Sequence, residues 1–265
     1  MSHPTRTPLP RLLPLSLLIA AATCITLAAA GCGDDAPEYP EITVNEPDAA
    51  ALARGATLSG AARWDGEAPQ PYPIGMGSDP YCAEAGKGLK SEKYVVGPSG
   101  GLRDVFVHVT QGLDPWTFDY ETEPVVINQE NCVYVPHVIG VRAYQPVIFR
   151  NSDPTTHNVN TLKSGQGFNK TTSSKGSEAR WQFEKPQLAI RTKCDLHPWM
   201  NAWVHVMPHP YFAVTDDEGR WTFPRALPPG TYTIEARHAA AGETSVEITI
   251  EDGKEPQPLE FHFSR

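Results

Sequence analysis

Seven residues, Cys194-Asp195-Leu196-His197-Pro198-Trp199-Met200, put a thiolate, an imidazole and a thioether into one short segment. A second imidazole comes from far upstream, in Thr155-Thr156-His157-Asn158-Val159. Two nitrogens, a thiolate sulfur and a weak thioether sulfur make a trigonal His₂Cys donor set with an axial Met, which suits copper passing between Cu(I) and Cu(II). The chemistry such a set would support is one-electron transfer. Each of these residues alone would read as an ordinary core or surface side chain. Their joint occurrence predicts a mononuclear copper site of His157, Cys194, His197 and Met200.

A loop carrying three donors needs strands at both ends to hold it. Leu188-Ala189-Ile190-Arg191-Thr192 reads as the strand that delivers Cys194, and Trp203-Val204-His205-Val206 alternates as the strand that leaves. Trp181-Gln182-Phe183 reads as a further strand, and the polar, Gly- and Thr-rich segment 163–176 as a loop. Upstream, Tyr134-Val135-Pro136 is followed by Val138-Ile139-Gly140-Val141, then by Gln145-Pro146-Val147-Ile148-Phe149-Arg150-Asn151-Ser152-Asp153, then by His157-Asn158.

That order of motifs, with C-x-x-H-x-x-M after it, resembles the cupredoxins of the amicyanin and plastocyanin type over residues 118–210. The resemblance implies a Greek-key β-sandwich with His157, Cys194 and His197 as equatorial ligands and Met200 as the axial one. It also implies that Asn158 hydrogen-bonds across to the ligand loop, and that the ring edge of His197 reaches solvent as the electron port, flanked by Pro198 and Trp199. His205 is the runner-up ligand. His108, alternating with Val107 and Val109, reads as solvent-facing, and His137, His209, His238 and His262 read as surface residues.

With 26 Pro and 21 Gly in 265 residues, the chain accommodates two modest β-domains and no long helices. Arg6 and Arg11 precede an apolar run from Leu12 to Ala20, so residues 1–32 read as a secretory signal. Its end, Leu27-Ala28-Ala29-Ala30-Gly31-Cys32, resembles a bacterial lipobox with Cys32 as the lipidated residue, although Ala29 stands where Leu is usual. Ordinary cleavage after Ala30 is the alternative. Residues 33–55, rich in Pro and acids, read as a flexible tether.

Cys24 leaves with the signal and Cys32 goes to lipid, so Cys82, Cys132 and Cys194 remain. In an oxidising compartment an even pair tends to oxidise, which predicts a Cys82–Cys132 disulfide; free buried thiols are the alternative. Removing 1–32 leaves 20 basic against 31 acidic residues, a formal charge near −11. That balance argues against nucleic acid and permits steering toward a basic redox partner.

Phe212-Ala213-Val214-Thr215, an Asp216-to-Gly219 turn, Trp221-Thr222-Phe223 and Leu227-Pro228-Pro229-Gly230-Thr231-Tyr232 resemble the carboxypeptidase regulatory-like, transthyretin-like sandwich. Its usual opening, a strand followed by an Asp-Gly turn and a Pro, matches Gly60 to Pro69. The expected fold class is therefore all-β: a cupredoxin sandwich at 118–210 and a second small sandwich from 56–117 with 211–265. Insertion of one into the other and a simple tandem order both remain open.

The expected function is an envelope-anchored one-electron carrier, facing the periplasm or exterior. Its partners would be a redox protein, such as a c-type cytochrome or periplasmic oxidoreductase, and a membrane through the lipid anchor. Copper sequestration or delivery, or an interaction module with a structural copper, are the alternatives. The acids are scattered, and neither a Ser-His-Asp pattern nor a nucleotide-binding Gly loop is present, so no enzymatic role is expected.

Overall fold

A computed structural model describes residues 39–265, so the signal, Cys32 and the first residues of the tether lie outside the described residues. The chain begins with a short helix α1 (Ala49–Arg54), strand β1 (Ser59–Trp64), helix α2 (Pro80–Ala85) and strand β2 (Phe106–Gln111). A run of strands follows: β3 (Val125–Glu130), β4 (Val133–Val135), β5 (Val138–Arg142), β6 (Pro146–Asn151), β7 (His157–Asn160), β8 (Asn169–Thr172), β9 (Glu178–Gln182), β10 (Gln187–Lys193) and β11 (Asn201–Met207). The last five are β12 (Phe212–Val214), β13 (Arg220–Thr222), β14 (Gly230–His238), β15 (Gly242–Ile250) and β16 (Leu259–Phe263). The fold is all-β, and among the described residues no helix is long and apolar enough to cross a membrane.

Two sheets, ordered β13-β1-β16 and β12-β2-β14-β15, take their strands from both ends of the chain. The other two, β5-β11-β10-β7-β8 and β4-β3-β6-β9, come from residues 125–207 alone. Alternation decides which side chains meet. On β14, Tyr232, Ile234 and Ala236 point into the first core with Leu58, Val107, Trp221 and Phe223, while Thr231, Thr233 and Glu235 point away. The second core is built on Ile127, Val141, Val147, Phe149, Val204 and Val206, and it contains Cys194 and Met200. Each such apolar side chain contributes about 1.5–3 kcal/mol by leaving water, so Cys194 and Met200 sit in a dry, closely packed frame.

Several expectations are corrected by this packing. Within 163–176 the chain forms β8, held by the antiparallel register His157↔Thr172 through Asn160↔Asn169. Residues 45–55 are fastened rather than free. Asp48 caps α1 by accepting from the N–H of Ala51, Asn45 pairs with Thr117, Glu46 bridges Arg225, and Gly55 lies so close to the Leu227 carbonyl that a Cβ would stand 1.9 Å from it. Met76 and Cys82, expected in the second sandwich, are buried in the core that holds Cys194.

His108 is 2 % exposed, because β2 is covered on both faces: Val107 and Val109 enter the first core, and Phe106 and His108 face the other half of the molecule. His205 is not beside the donor loop's cluster. It stacks on Phe106 at 4.1 Å, in the junction between the halves. His209 is buried with its Nε2 on the Val109 carbonyl, and buried His238 stacks on Tyr94. His137 is half-buried and His262 is exposed.

Candidate metal centre

The donor loop Cys194–Met200 joins the end of β10 to the start of β11, strands paired antiparallel from Lys193↔Asn201 onward. The loop closes on itself: the Cys194 N–H donates to the Met200 carbonyl at 3.2 Å, and the Met200 N–H to the His197 carbonyl at 2.9 Å. These bonds turn His197 inward over Cys194. His157 opens β7, which pairs with β10 through Asn160↔Lys193, and so arrives from the other side.

Sγ of Cys194 and one nitrogen each of His157 and His197 lie within 4.8 Å of one another. The two Nδ1 atoms are 2.9 Å apart, and Cys194 Sγ is 3.7 Å from His197 Nδ1. All three residues are buried, at 0 % for His157, 1 % for Cys194 and 4 % for His197, and Met200, also fully buried, belongs to the same hydrophobic core as Cys194. Two other groupings, Asp79-Cys82-His197 and Cys132-Asp153-His157, use sulfurs that are bonded to each other, which leaves them no thiolate to offer.

Hydrogen bonds hold these side chains in place. His157 Nε2 meets Asp153 Oδ2 at 2.9 Å, which leaves Nδ1 facing the centre. Asp153 is in turn held by the N–H groups of Asn131 and Cys132 and by the Tyr81 hydroxyl. Burial opposes charge on this carboxylate, but those bonds and His157 outweigh it and hold its pKa below the usual value. Burial would likewise raise the Cys194 thiol. Hydrogen bonds from His157 and from the backbone N–H groups of Asn158, His197 and Leu196 reverse the sign, so the thiolate is favoured.

Asn158 does bond across to the loop: its Oδ1 accepts from the Asp195 N–H at 2.7 Å, its Nδ2 donates to Asp195 Oδ2, and its own N–H points at Cys194 Sγ at 3.5 Å. The donor set is thus one buried thiolate and two preset Nδ1 atoms, with Met200 buried at the end of the donor loop, a set that fits a soft or borderline ion such as copper.

The His197 edge does not reach solvent. Its Nε2 faces Asp79 Oδ2 at 3.6 Å and Cys82 Sγ at 3.8 Å. The cover is α2 and its flanks. Asp79 caps α2 by accepting from the Cys82 N–H, Pro80 opens the first turn, Asp79 Oδ2 accepts from Thr155, and Cys82 is bonded to Cys132. Asp79, Tyr81 and Asp153 thus form the surroundings of the site, although none was singled out from sequence. Ser78-Asp79-Pro80 carries a helix-start signature, and Asp153 follows β6 by two residues at the end of the Gln145-to-Asp153 segment.

No protein-family model matches the chain, and no curated protein matches it. Several solved structures resemble parts of it, among them these three. A copper-containing nitrite reductase from Thermus scotoductus SA-01 is 21 % identical over 38 % of this chain and 25 % of that one, with a TM-score of 0.31. Amicyanin from Paracoccus versutus is 21 % identical over 38 % of this chain and 97 % of that one, at 0.28. A purple cupredoxin from Nitrosopumilus maritimus is 21 % identical over 33 % and 100 %, at 0.28.

The chain spans about a quarter of the nitrite reductase. That enzyme corrects the expectation of no enzymatic role, since a catalytic protein stands among the similar structures; so short a match does not make this chain an enzyme.

Proposed function

We propose that the chain is a cupredoxin-type mononuclear copper protein that carries one electron between redox partners at the bacterial cell envelope. One observation carries the reading: His157 Nδ1, His197 Nδ1 and Cys194 Sγ converge in a buried cluster, and Met200 ends the donor loop within the hydrophobic core that holds Cys194. When bound, copper would supply a one-electron couple between Cu(I) and Cu(II).

The chain's own residues support this by holding still. Asp153 fixes the His157 ring, Asn158 and the loop N–H groups favour the thiolate, and the β10–β11 pair keeps the loop ends in register. A donor set that does not rearrange keeps the reorganisation accompanying electron transfer small. Anchoring through a lipid on Cys32, and a redox protein such as a c-type cytochrome as partner, belong to the same proposal and rest on the sequence.

The test is the visible spectrum of the fragment from Gly33 onward, loaded with Cu(II), beside Cys194→Ser. An intense thiolate-to-copper band, bleached by reductant, restored by oxidant and missing in the variant, is the expected result. A colourless protein that takes up only Cu(I) would instead indicate copper handling.

A further inference from the structure

An electron port needs a group that lies close to the centre on one side and is reachable from outside on the other. None of the ligands meets the second condition. His157 and Met200 are 0 % exposed, Cys194 1 % and His197 4 %, and the outer nitrogen of His197 is roofed by Asp79 and Cys82. Tyr134, whose hydroxyl donates to the Asn158 carbonyl, is 1 % exposed and leads nowhere. Leu196 is exposed but saturated.

Trp199 meets both conditions. Its ring centroid is 5.2 Å from that of His197, and its Nε1–H donates to the Cys132 carbonyl at 3.0 Å, which holds the indole in place. Half-buried, it lines a cavity of about 500 Å³ together with Tyr72, Trp203, His137, Glu92 and Arg191.

We infer that electrons pass between the centre and its partner through Trp199, from this cavity, and not through the His197 edge. The inference rests on the carrier reading and names the port of that site. A concave port excludes a flat docking face, so the partner is a redox protein whose cofactor edge sits on a projecting surface. The step moves one electron from the partner's reduced cofactor to the oxidised centre, or the reverse, and makes or breaks no bond.

The test uses copper-loaded protein and a reduced basic c-type cytochrome as probe, mixed by stopped flow. Trp199→Leu is expected to keep the visible band and to lower the second-order rate constant on the order of tenfold when the two proteins are compared at equal driving force, set from each one's measured reduction potential; Trp199→Phe, which keeps a ring, should lose less. An unchanged rate in Trp199→Leu overturns the inference.

A second arm needs no copper. In metal-free protein, His197 should resist acylation by diethyl pyrocarbonate, mapped by peptide mass, and become reactive in Cys82→Ala/Cys132→Ala, where the cover is untied. Ready labelling of His197 with the disulfide intact overturns the inference. Absence of the visible band in wild-type protein would count against the carrier reading, while the labelling arm still decides whether the edge is covered.

Discussion

The Cys82–Cys132 bond ties the cover to the turn between β3 and β4 across 50 residues of chain. Removing it in metal-free protein by Cys82→Ala/Cys132→Ala frees the unfolded state. For a closed loop of that length, the chain-entropy account assigns about 4 kcal/mol at room temperature to the lost constraint. Both cysteines are 0 % exposed, so the small voids left by alanine add to the loss rather than offset it.

Urea unfolding followed by tryptophan fluorescence and far-ultraviolet circular dichroism should therefore move its midpoint down by the equivalent of about 4 kcal/mol, and Tm by roughly 8–16 °C. Metal-free protein is required, because a bound ion would add its own linkage to the folded state. A loss under about 1 kcal/mol would refute the reasoning. It would mean that Tyr81–Asp153 and Asp79–Thr155 already hold the segment in the unfolded ensemble.

Three further outcomes follow from particular contacts. Asp153→Asn removes the carboxylate that orients His157, and metal affinity measured by chelator competition should fall about 10–100-fold; unchanged affinity would show that the ring is held by packing alone. His205 and His209 are held neutral by burial, with pKa values depressed to about 3 and about 4. Stability should be level above the unfolded-state value near pH 6.5 and fall as acid titrates the unfolded chain first, by up to about 1.4 kcal/mol per pH unit for each histidine; a flat urea midpoint between about pH 7 and pH 5 would contradict this. Gly140→Ala would set a Cβ 2.5 Å from Phe212 and 2.6 Å from Phe106 where the halves meet, so a loss of about 1–3 kcal/mol in thermal unfolding is expected, and a neutral result would mean the two rings move apart freely.

The donor residues were legible because their chemistry is rare and their spacing short. Cys194, His197 and Met200 lie within one loop, and the strands around it carry the alternation that marks a half-buried surface. What surrounds the centre was not legible. Period-2 patterning on Val107 and Val109 shows that one face of β2 is buried, but it carries no information about a second layer on the other face, so His108 read as solvated.

Residues 69–91 have no period at all, and nothing local says that their helix start at Asp79 lands on a ring 118 residues later in the chain. The same blindness turned 45–55 into a tether. Its acids and Pro47 are those of a linker, yet Asp48 and Glu46 are engaged in a cap and an ion pair.

The placement of β1 has a consequence for the order of assembly. Its two neighbours are β13 and β16, the latter paired in parallel from Gly60↔Leu259 to Trp64↔Phe263. As the chain is made, β1 comes early but must wait for β13 at Arg220–Thr222 and, on its other edge, for β16 at Leu259–Phe263, whereas all nine strands from β3 to β11 are available once Met207 has appeared. The donor-bearing half therefore has every strand it needs while the other is still an open, edge-exposed intermediate. A fragment from Gly33 that ends shortly after Met207 should show protease protection across 125–207 and cleavage at β1, with assembly of the donor-bearing half not requiring β12 to β16.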